Sequence, residues 1–241
     1  MPGPLSTEAI VLRSIRYGEA DRILHLYTPD HGRVSAIAKG IRRSRSRFGA
    51  RLEPFFHVRA HLHEGRSELL TVTGVDTITT HAGLREHAAT LDNAARACDA
   101  VSRLFETSDP HPEVFRLLAN ELALLAGDPG QARAGNGLAF RIKLLLAAGI
   151  VPHLAACASC GESEHLQGYS AAAGGIVCNA CEGAAFPISE ESYRFLIDAL
   201  GRPLAQAPDA SERALRQAER AIGETVEFHA NVRWRPLLHA T

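Results

Sequence analysis

With 241 residues, 46% of them hydrophobic and 22% charged, the chain has an ordinary globular balance and enough length for two modest domains. No stretch of eighteen apolar residues is free of charge, and residues 1–12 lack a basic flank, an apolar segment and a small-residue cleavage site in succession. Neither a membrane span nor an export signal is expected, and the cytoplasm is the expected location. The net charge of −1 hides an asymmetry: residues 1–80 carry 12 Arg/Lys against 8 Asp/Glu, and the remainder 14 against 19. That division suits the front of the chain, and not the rear, to polyanions.

From about residue 7 to 80, short β-branched runs alternate with turn signals, which predicts strands at 9–17, 22–27, 33–38, 54–63 and 68–79. Phe56, Val58, Ala60 and Leu62 alternate with Phe55, His57, Arg59 and His61, giving the fourth strand one apolar face and an outer face that carries His57, His61 and His63 toward solvent. Tyr17-Gly18, Asp30-His31-Gly32 and Glu64-Gly65 supply glycine-containing turns. Five short strands in so few residues suit a small closed barrel of the OB type, here residues 1–80.

Beyond Thr80 the apolar period lengthens to three or four, so residues 81–241 read as a helical domain. Leu91, Ala94, Cys98, Val101 and Phe105 make one stripe, and Val114, Leu118, Leu122 and Leu125 a second, whose helix opens at Pro112 and closes at Gly127. Residues 138–150 are apolar nearly all round apart from Arg141 and Lys143, as in the buried central helix of a bundle. Ser189 precedes a helix with Tyr193, Leu196, Ile197 and Leu200 on one face, and Asp209 marks the start of a last helix with Leu215, Ile222 and Val226 inward.

A segment at 153–186 interrupts these helices and carries four of the five cysteines. Cys157-x2-Cys160 and Cys178-x2-Cys181 are separated by 17 residues, the spacing of a zinc ribbon. In a reducing compartment such pairs bind metal more readily than they form disulfides, the alternative being a redox pair or unrelated buried thiols. Four thiolates fill a tetrahedral shell and leave no position open for water, so one structural Zn²⁺ is expected. His153 and His165 flank the cysteines and are read as ordinary histidines beside a complete ligand set, and Cys98 as a packing residue.

The second cluster is basic. Arg33, Lys39, Arg42, Arg43, Arg45, Arg47 and Arg51 lie within 19 residues that hold no acidic side chain. Between the third and fourth strands, the run from Gly40 to Gly49 has no amphipathic period and reads as a barrel loop able to follow a phosphate backbone, with Ser44 and Ser46 adding hydrogen bonds and Phe48, Phe55 or Phe56 offering a stacking face. The competing reading is a solvated charge run. Phosphate-binding, dinucleotide, zinc-protease and serine-hydrolase motifs are all missing from the chain, and no acid, base and nucleophile fall together, so a non-enzymatic binding protein is expected.

The opening segments Glu8-Ala9-Ile10-Val11-Leu12, Tyr17-Gly18-Glu19-Ala20-Asp21-Arg22-Ile23, Thr28-Pro29-Asp30-His31-Gly32-Arg33 and Ala38-Lys39-Gly40-Ile41-Arg42-Arg43 resemble the RecO family of bacterial recombination mediators. The order of parts, an N-terminal barrel and then helices around a four-cysteine element, resembles it too. The resemblance implies an OB fold that binds single- and double-stranded DNA and anneals complementary strands. With RecR, it implies help in loading RecA onto DNA coated by single-stranded-DNA-binding protein, at the nucleoid. It assigns the DNA role to Lys39, Arg42, Arg43, Arg45 and Arg47, with Arg51 at the end of the same basic run, and the zinc role to the four cysteines. It also implies that the acidic, apolar-ended tail of the single-strand-binding protein docks on the helical domain, where Arg133, Arg141 and Lys143 are the candidate basic rim. An OB-plus-zinc-ribbon RNA-binding or transcription accessory protein is the alternative, separated by an annealing assay; a hydrolase with an open zinc position is a third reading.

Overall fold

The computed structural model describes residues 3–43, 48, 50–65, 69–181, 183 and 185–238. Strands β1 (Pro4–Tyr17), β2 (Asp21–Thr28), β3 (Gly32–Ala38), β4 (His57–His63) and β5 (Leu70–Thr79) close into a barrel in the order β1-β2-β3-β5-β4, with β4 returning to β1. Every pairing is antiparallel except β3 with β5, the arrangement of an OB barrel. Strand β1 begins earlier than its apolar pattern predicts, because its first half pairs with β4 and its second half with β2. A register shift between Val11 and Arg13 bends the strand where it changes partner. The interior is filled by the alternate residues Leu24, Leu26, Ala36, Ala38, Val58, Ala60, Leu62 and Val72, as period-two patterning requires.

Helices α1 (Ala88–Leu104) and α2 (Pro112–Gly127) pack on one another and on this barrel. Phe105 meets the Tyr27 ring edge-on at 6.4 Å, and Phe115 meets His57 at 5.4 Å. At Gly32 the chain turns with φ +53°, and a Cβ there would lie 2.3 Å from the Asp109 carbonyl oxygen, so the loop after α1 requires glycine at that position. The barrel, α1 and α2 form one compact unit, Met1–Pro129, and Gly130–Thr241 forms a second. The change of period at Thr80 therefore marks where strands give way to helices, while the compact units divide after Pro129.

The second unit contains α3 (Ala134–Ala147), α4 (Glu190–Gly201) and α5 (Glu212–Ala230), which pack mutually, and a small sheet of β6 (Leu166–Ser170), β7 (Gly175–Cys178) and β8 (Phe186–Pro187) in the order β7-β6-β8. Helix α3 is buried nearly all round, as its composition predicts. Ser189 caps α4 by accepting the Ser192 N–H, but the buried face of that helix is Ser192, Phe195, Leu196 and Ala199, which leaves Ile197 exposed. Helix α5 starts at a Ser211 cap rather than at Asp209, since Ser211 Oγ accepts the Ala214 N–H while its own amide and hydroxyl are held by Glu191. Its inward face is Ala214, Ala218, Ala221, Ile222 and Val226, with Leu215 only half-buried. Leu91 is also exposed, on the first turns of α1. None of the helices among the described residues is long and apolar enough to cross a membrane.

Candidate metal centre and nucleic-acid interface

The sulfurs of Cys157, Cys160, Cys178 and Cys181 lie within 4.8 Å of one another, and Cys160 Sγ is 3.7 Å from Cys178 Sγ. Two tight turns bring them there. In the first, Gly161 N–H donates to the Cys157 carbonyl at 2.9 Å and Cys157 N–H to the Glu162 carbonyl at 2.7 Å; in the second, Cys181 N–H donates to the Cys178 carbonyl at 3.0 Å. Strands β6 and β7 place the second turn beside the first, and residues 153 and 158 are tied to β7 by backbone bonds between His153 N–H and Gly174 O, Ile176 N–H and His153 O, and Ala158 N–H and Ile176 O.

The electrostatics of this cluster favour a cation. The backbone N–H of Cys178, with those of Cys160 and Ser159 and the Cys160 side chain, holds the Cys157 thiol down at about 6. Cys181 is pushed up to about 12, chiefly by the neighbouring sulfurs of Cys160 and Cys178. In Cys160 the Glu162 N–H favours the thiolate, but the sulfurs of Cys157 and Cys178 outweigh it and the thiol is raised. One thiolate is favoured and further ones are opposed by the first, an opposition that a bound dication reverses. His153 and His165 stand outside the ligand cluster: His153 is engaged through its backbone with β7, and the exposed His165 faces Glu164. Cys98, buried in α1, is a packing residue whose thiol burial pushes well up.

Among the described residues, the buried apolar cluster around the sulfurs is Cys157, Val177 and Cys178, and the other large buried side chains of the segment include Tyr169, Ile176 and Phe186. So small a core depends on its ligands and on α5. Helix α5 contributes the Thr225 hydroxyl, which bonds Tyr169 Oη, an Arg220 guanidinium 4.0 Å above the Phe186 ring, and a Gln217 amide that donates to the Pro187 carbonyl and accepts from Ser189 N–H. Gly175 has φ +155°, and a Cβ there would meet His153 O at 2.2 Å. Gly175→Ala is accordingly expected to destabilise the second unit by about 1–3 kcal/mol, read as a lower urea midpoint.

In the first unit, Lys39, Arg42, Arg43 and Arg51 are exposed. The start of the basic run is stitched to the β1–β2 turn: Gly40 N–H donates to Asp21 Oδ1 at 2.7 Å, Arg42 N–H to Ala20 O at 2.9 Å and Arg42 Nη1 to Glu19 O at 2.9 Å. Arg51 Nη1 donates to Val75 O at 3.3 Å. Arg45 and Arg47 lie outside the described residues, as do Ser44, Ser46 and Gly49. Arg33 stands on β3, as the predicted strand 33–38 has it, and its guanidinium donates to Ser102 O at 3.2 Å.

Several expectations are corrected here. Phe48 is 1% exposed and, with Leu52, plugs the barrel core, so it offers no stacking face. Phe55 is buried as well, and half-buried Phe56 lies under the Arg85 guanidinium. His57 is not a solvent-facing histidine, for it bonds Glu8 at 3.1 Å and packs on Phe115. The three proposed rim cations are used internally: Arg133 bonds Asp209 and the Ala207 carbonyl, Arg141 is buried against Glu219, and Lys143 Nζ donates to Leu200 O at 2.8 Å.

One basic residue was missed from the sequence. The registers pair Arg13 with His25 and His25 with Ser35, opposite to the inward Leu24 and Ala36, so exposed Arg13 stands on the outer barrel face. The signal was available in the two-residue alternation of β1, once the bulge was allowed for. Between Arg13 and Arg33, His25 is held below the ordinary histidine range by burial first and by those two cations next, while its Nδ1 lies 3.2 Å from Ser35 Oγ.

Residues 1–81 match the family described as "Recombination protein O N terminal" and residues 89–237 the one described as "Recombination protein O C terminal". The chain is 41% identical over 223 residues to a DNA repair protein RecO of Rubrobacter xylanophilus, which covers 90% of this chain and 88% of that protein. It is 34% identical over 234 residues to one from an Anaeromyxobacter species, covering 93% and 91%, and 36% identical over 233 residues to one from a Nocardioides species, covering 92% and 93%. An OB barrel, a helical rear half and a four-cysteine cluster thus coincide with matches along both halves, and the chain belongs to the RecO family of DNA repair proteins.

Proposed function

We propose that the chain is a recombination mediator that binds single- and double-stranded DNA, anneals complementary strands and, with RecR, helps load RecA onto DNA coated by single-stranded-DNA-binding protein. It would do so at the nucleoid and without enzymatic turnover. The observation that carries this reading is the exposed basic segment Lys39, Arg42 and Arg43, fixed beside the β1–β2 turn of an OB barrel in a chain of this family. Guanidinium and ammonium groups contact phosphates without reading bases, which suits a protein that must act on any sequence. Arg45, Arg47 and Arg51 extend the same charge. The partner tail belongs to this reading as well, but with Arg133, Arg141 and Lys143 employed internally no rim is assigned to it.

The metal is proposed to be Zn²⁺. Sulfurs about 2.3 Å from a zinc ion stand about 3.8 Å apart, close to the Cys160–Cys178 separation of 3.7 Å. Bound there, it would join the two turns and hold all four sulfurs as thiolates, a structural role for which no water position is needed.

Replacing Arg42, Arg43, Arg45 and Arg47 together with Ala is expected to weaken binding of oligonucleotides by roughly tenfold or more, about equally across sequences. Each lost contact should flatten the single-strand dependence of log K on log salt by ~0.7. A titration at several salt concentrations checks both, and an unchanged affinity and slope would leave the loop as a solvated surface. Acceleration of annealing of coated complementary DNA by the wild-type chain tests the mediator role itself; annealing of RNA alone would favour the accessory-protein reading.

A further inference from the structure

Burial of Phe48 and Phe55 removes the aromatic faces that the basic loop was expected to offer, yet the barrel does present one. Tyr17, the last residue of β1, is 53% exposed, and among the described residues it makes no hydrogen bond or ring contact. A large, half-apolar ring left in water at a hairpin end gains nothing for the fold, since removing it from water is what would stabilise.

Its surroundings are specific. Tyr17 pairs with Asp21 across the β1–β2 ladder, and the same outer face carries Ile15 against Ile23 and Arg13 against His25. The Asp21 carboxylate is occupied by the Gly40 N–H, and the carbonyls of Glu19 and Ala20 receive Arg42. The segment carrying Lys39, Arg42 and Arg43 is therefore secured, through Gly40 and Arg42, to Glu19, Ala20 and Asp21, the turn that follows Tyr17. An exposed aromatic ring beside a fixed row of exposed cations is the pairing that single strands require: phosphates meet the cations while an unpaired base covers the ring. A duplex offers the same phosphates, but its base faces are already stacked on one another.

We propose that Tyr17 is a base-stacking platform for single-stranded DNA, set beside the phosphate-holding Lys39, Arg42 and Arg43. This deepens the DNA-binding reading above and rests on it. The stack is sequence-tolerant, because every base presents a π face. It also gives the barrel a preference for single over double strands that the arginines alone would not supply.

The test uses the full chain with three probes of equal length: an oligothymidylate, an abasic strand with the same number of phosphates, and a duplex. Wild type is expected to bind oligothymidylate about tenfold more tightly than the abasic strand. Tyr17→Ala should abolish that difference while leaving duplex affinity, the salt slope and the melting temperature unchanged. Tyr17→Phe should keep the difference, since it keeps the ring. Tyr17→Trp should keep it and add indole fluorescence, above the Trp234 background, that oligothymidylate quenches and the abasic strand does not. Equal loss on all three probes in Tyr17→Ala, or no loss on any, would overturn the stacking role while leaving DNA binding itself standing. Failure of the wild-type chain to bind any probe would overturn both.

Discussion

Removing the proposed zinc, or replacing Cys157 or Cys178 with Ser, is expected to unfold the segment 153–186 at room temperature. The buried apolar cluster around the sulfurs is Val177 and two of the cysteines themselves, while the buried rings of Tyr169 and Phe186 are held by Thr225 and Arg220 of α5. Apparent zinc-binding free energies of about 10–16 kcal/mol in small zinc domains are as large as the ~5–15 kcal/mol by which whole domains are stable, so loss of such an ion would decide the outcome. The four positions should not respond alike. Cys157 and Cys178 are buried, and a serine there leaves a hydroxyl and a void among sulfurs, whereas Cys160 is exposed and its serine can be completed by water. Cys160→Ser is expected to retain metal with weakened affinity, and Cys157→Ser and Cys178→Ser to lose it. Elemental analysis gives the metal content, and hydrogen exchange at the amides of β6 and β7 reports the fold of the segment. Full protection of those amides in metal-free protein would show that contacts with α5 suffice.

Arg141→Ala is expected to destabilise the second unit by about 3 kcal/mol, because it removes a buried guanidinium and leaves the partly buried Glu219 carboxylate with backbone N–H partners alone. Arg141 is 4% exposed on α3; its guanidinium lies 3.4 Å from Glu219 on α5, donates to the Arg235 carbonyl and stands 5.4 Å from the centre of the Trp234 ring. Glu219 also accepts the backbone N–H groups of Leu237 and Leu238, so the pair fastens the chain after α5 to both helices. Arg141→Met keeps the apolar stem, and combining it with Glu219→Gln removes the stranded charge. That double variant should recover a good part of the loss in urea denaturation. A loss under about 1 kcal/mol for Arg141→Ala would mean that water reaches the pair and screens it.

Such a residue also shows where local pattern stops being informative. On paper Arg141 and Lys143 interrupt an apolar helix and look like surface cations beside a groove. In the folded unit one meets a carboxylate on α5 and the other the last carbonyls of α4, partners 78 and 57 residues away. No local period carries that information. Ile197 shows the converse, an apolar residue at a helical spacing that nevertheless faces water because α3 and α5 cover only the stripe beginning at Ser192 and Phe195.

By itself, the sequence determined the features that depend on short-range spacing. Two-residue alternation specified the strands, a glycine at φ +53° closed the β2–β3 turn at Gly32, and two Cys-x-x-Cys turns 17 residues apart specified one four-sulfur site. The arginine run and the family segments of the first 43 residues were equally legible, since they are local in the chain. Tertiary structure alone decided which aromatic is buried and which is displayed. Phe48 lies in a stretch of sequence with no period to predict its side, and it is drawn into the barrel because β3–β5 and β4–β1 pairing leaves an apolar interior that a ring can fill. Tyr17 follows the same alternation as its buried neighbours on β1, but its place past the bulge and at the hairpin end turns it to the open outer face. Burial is a property of closure, set by strands tens of residues apart, and only the closed barrel could assign it.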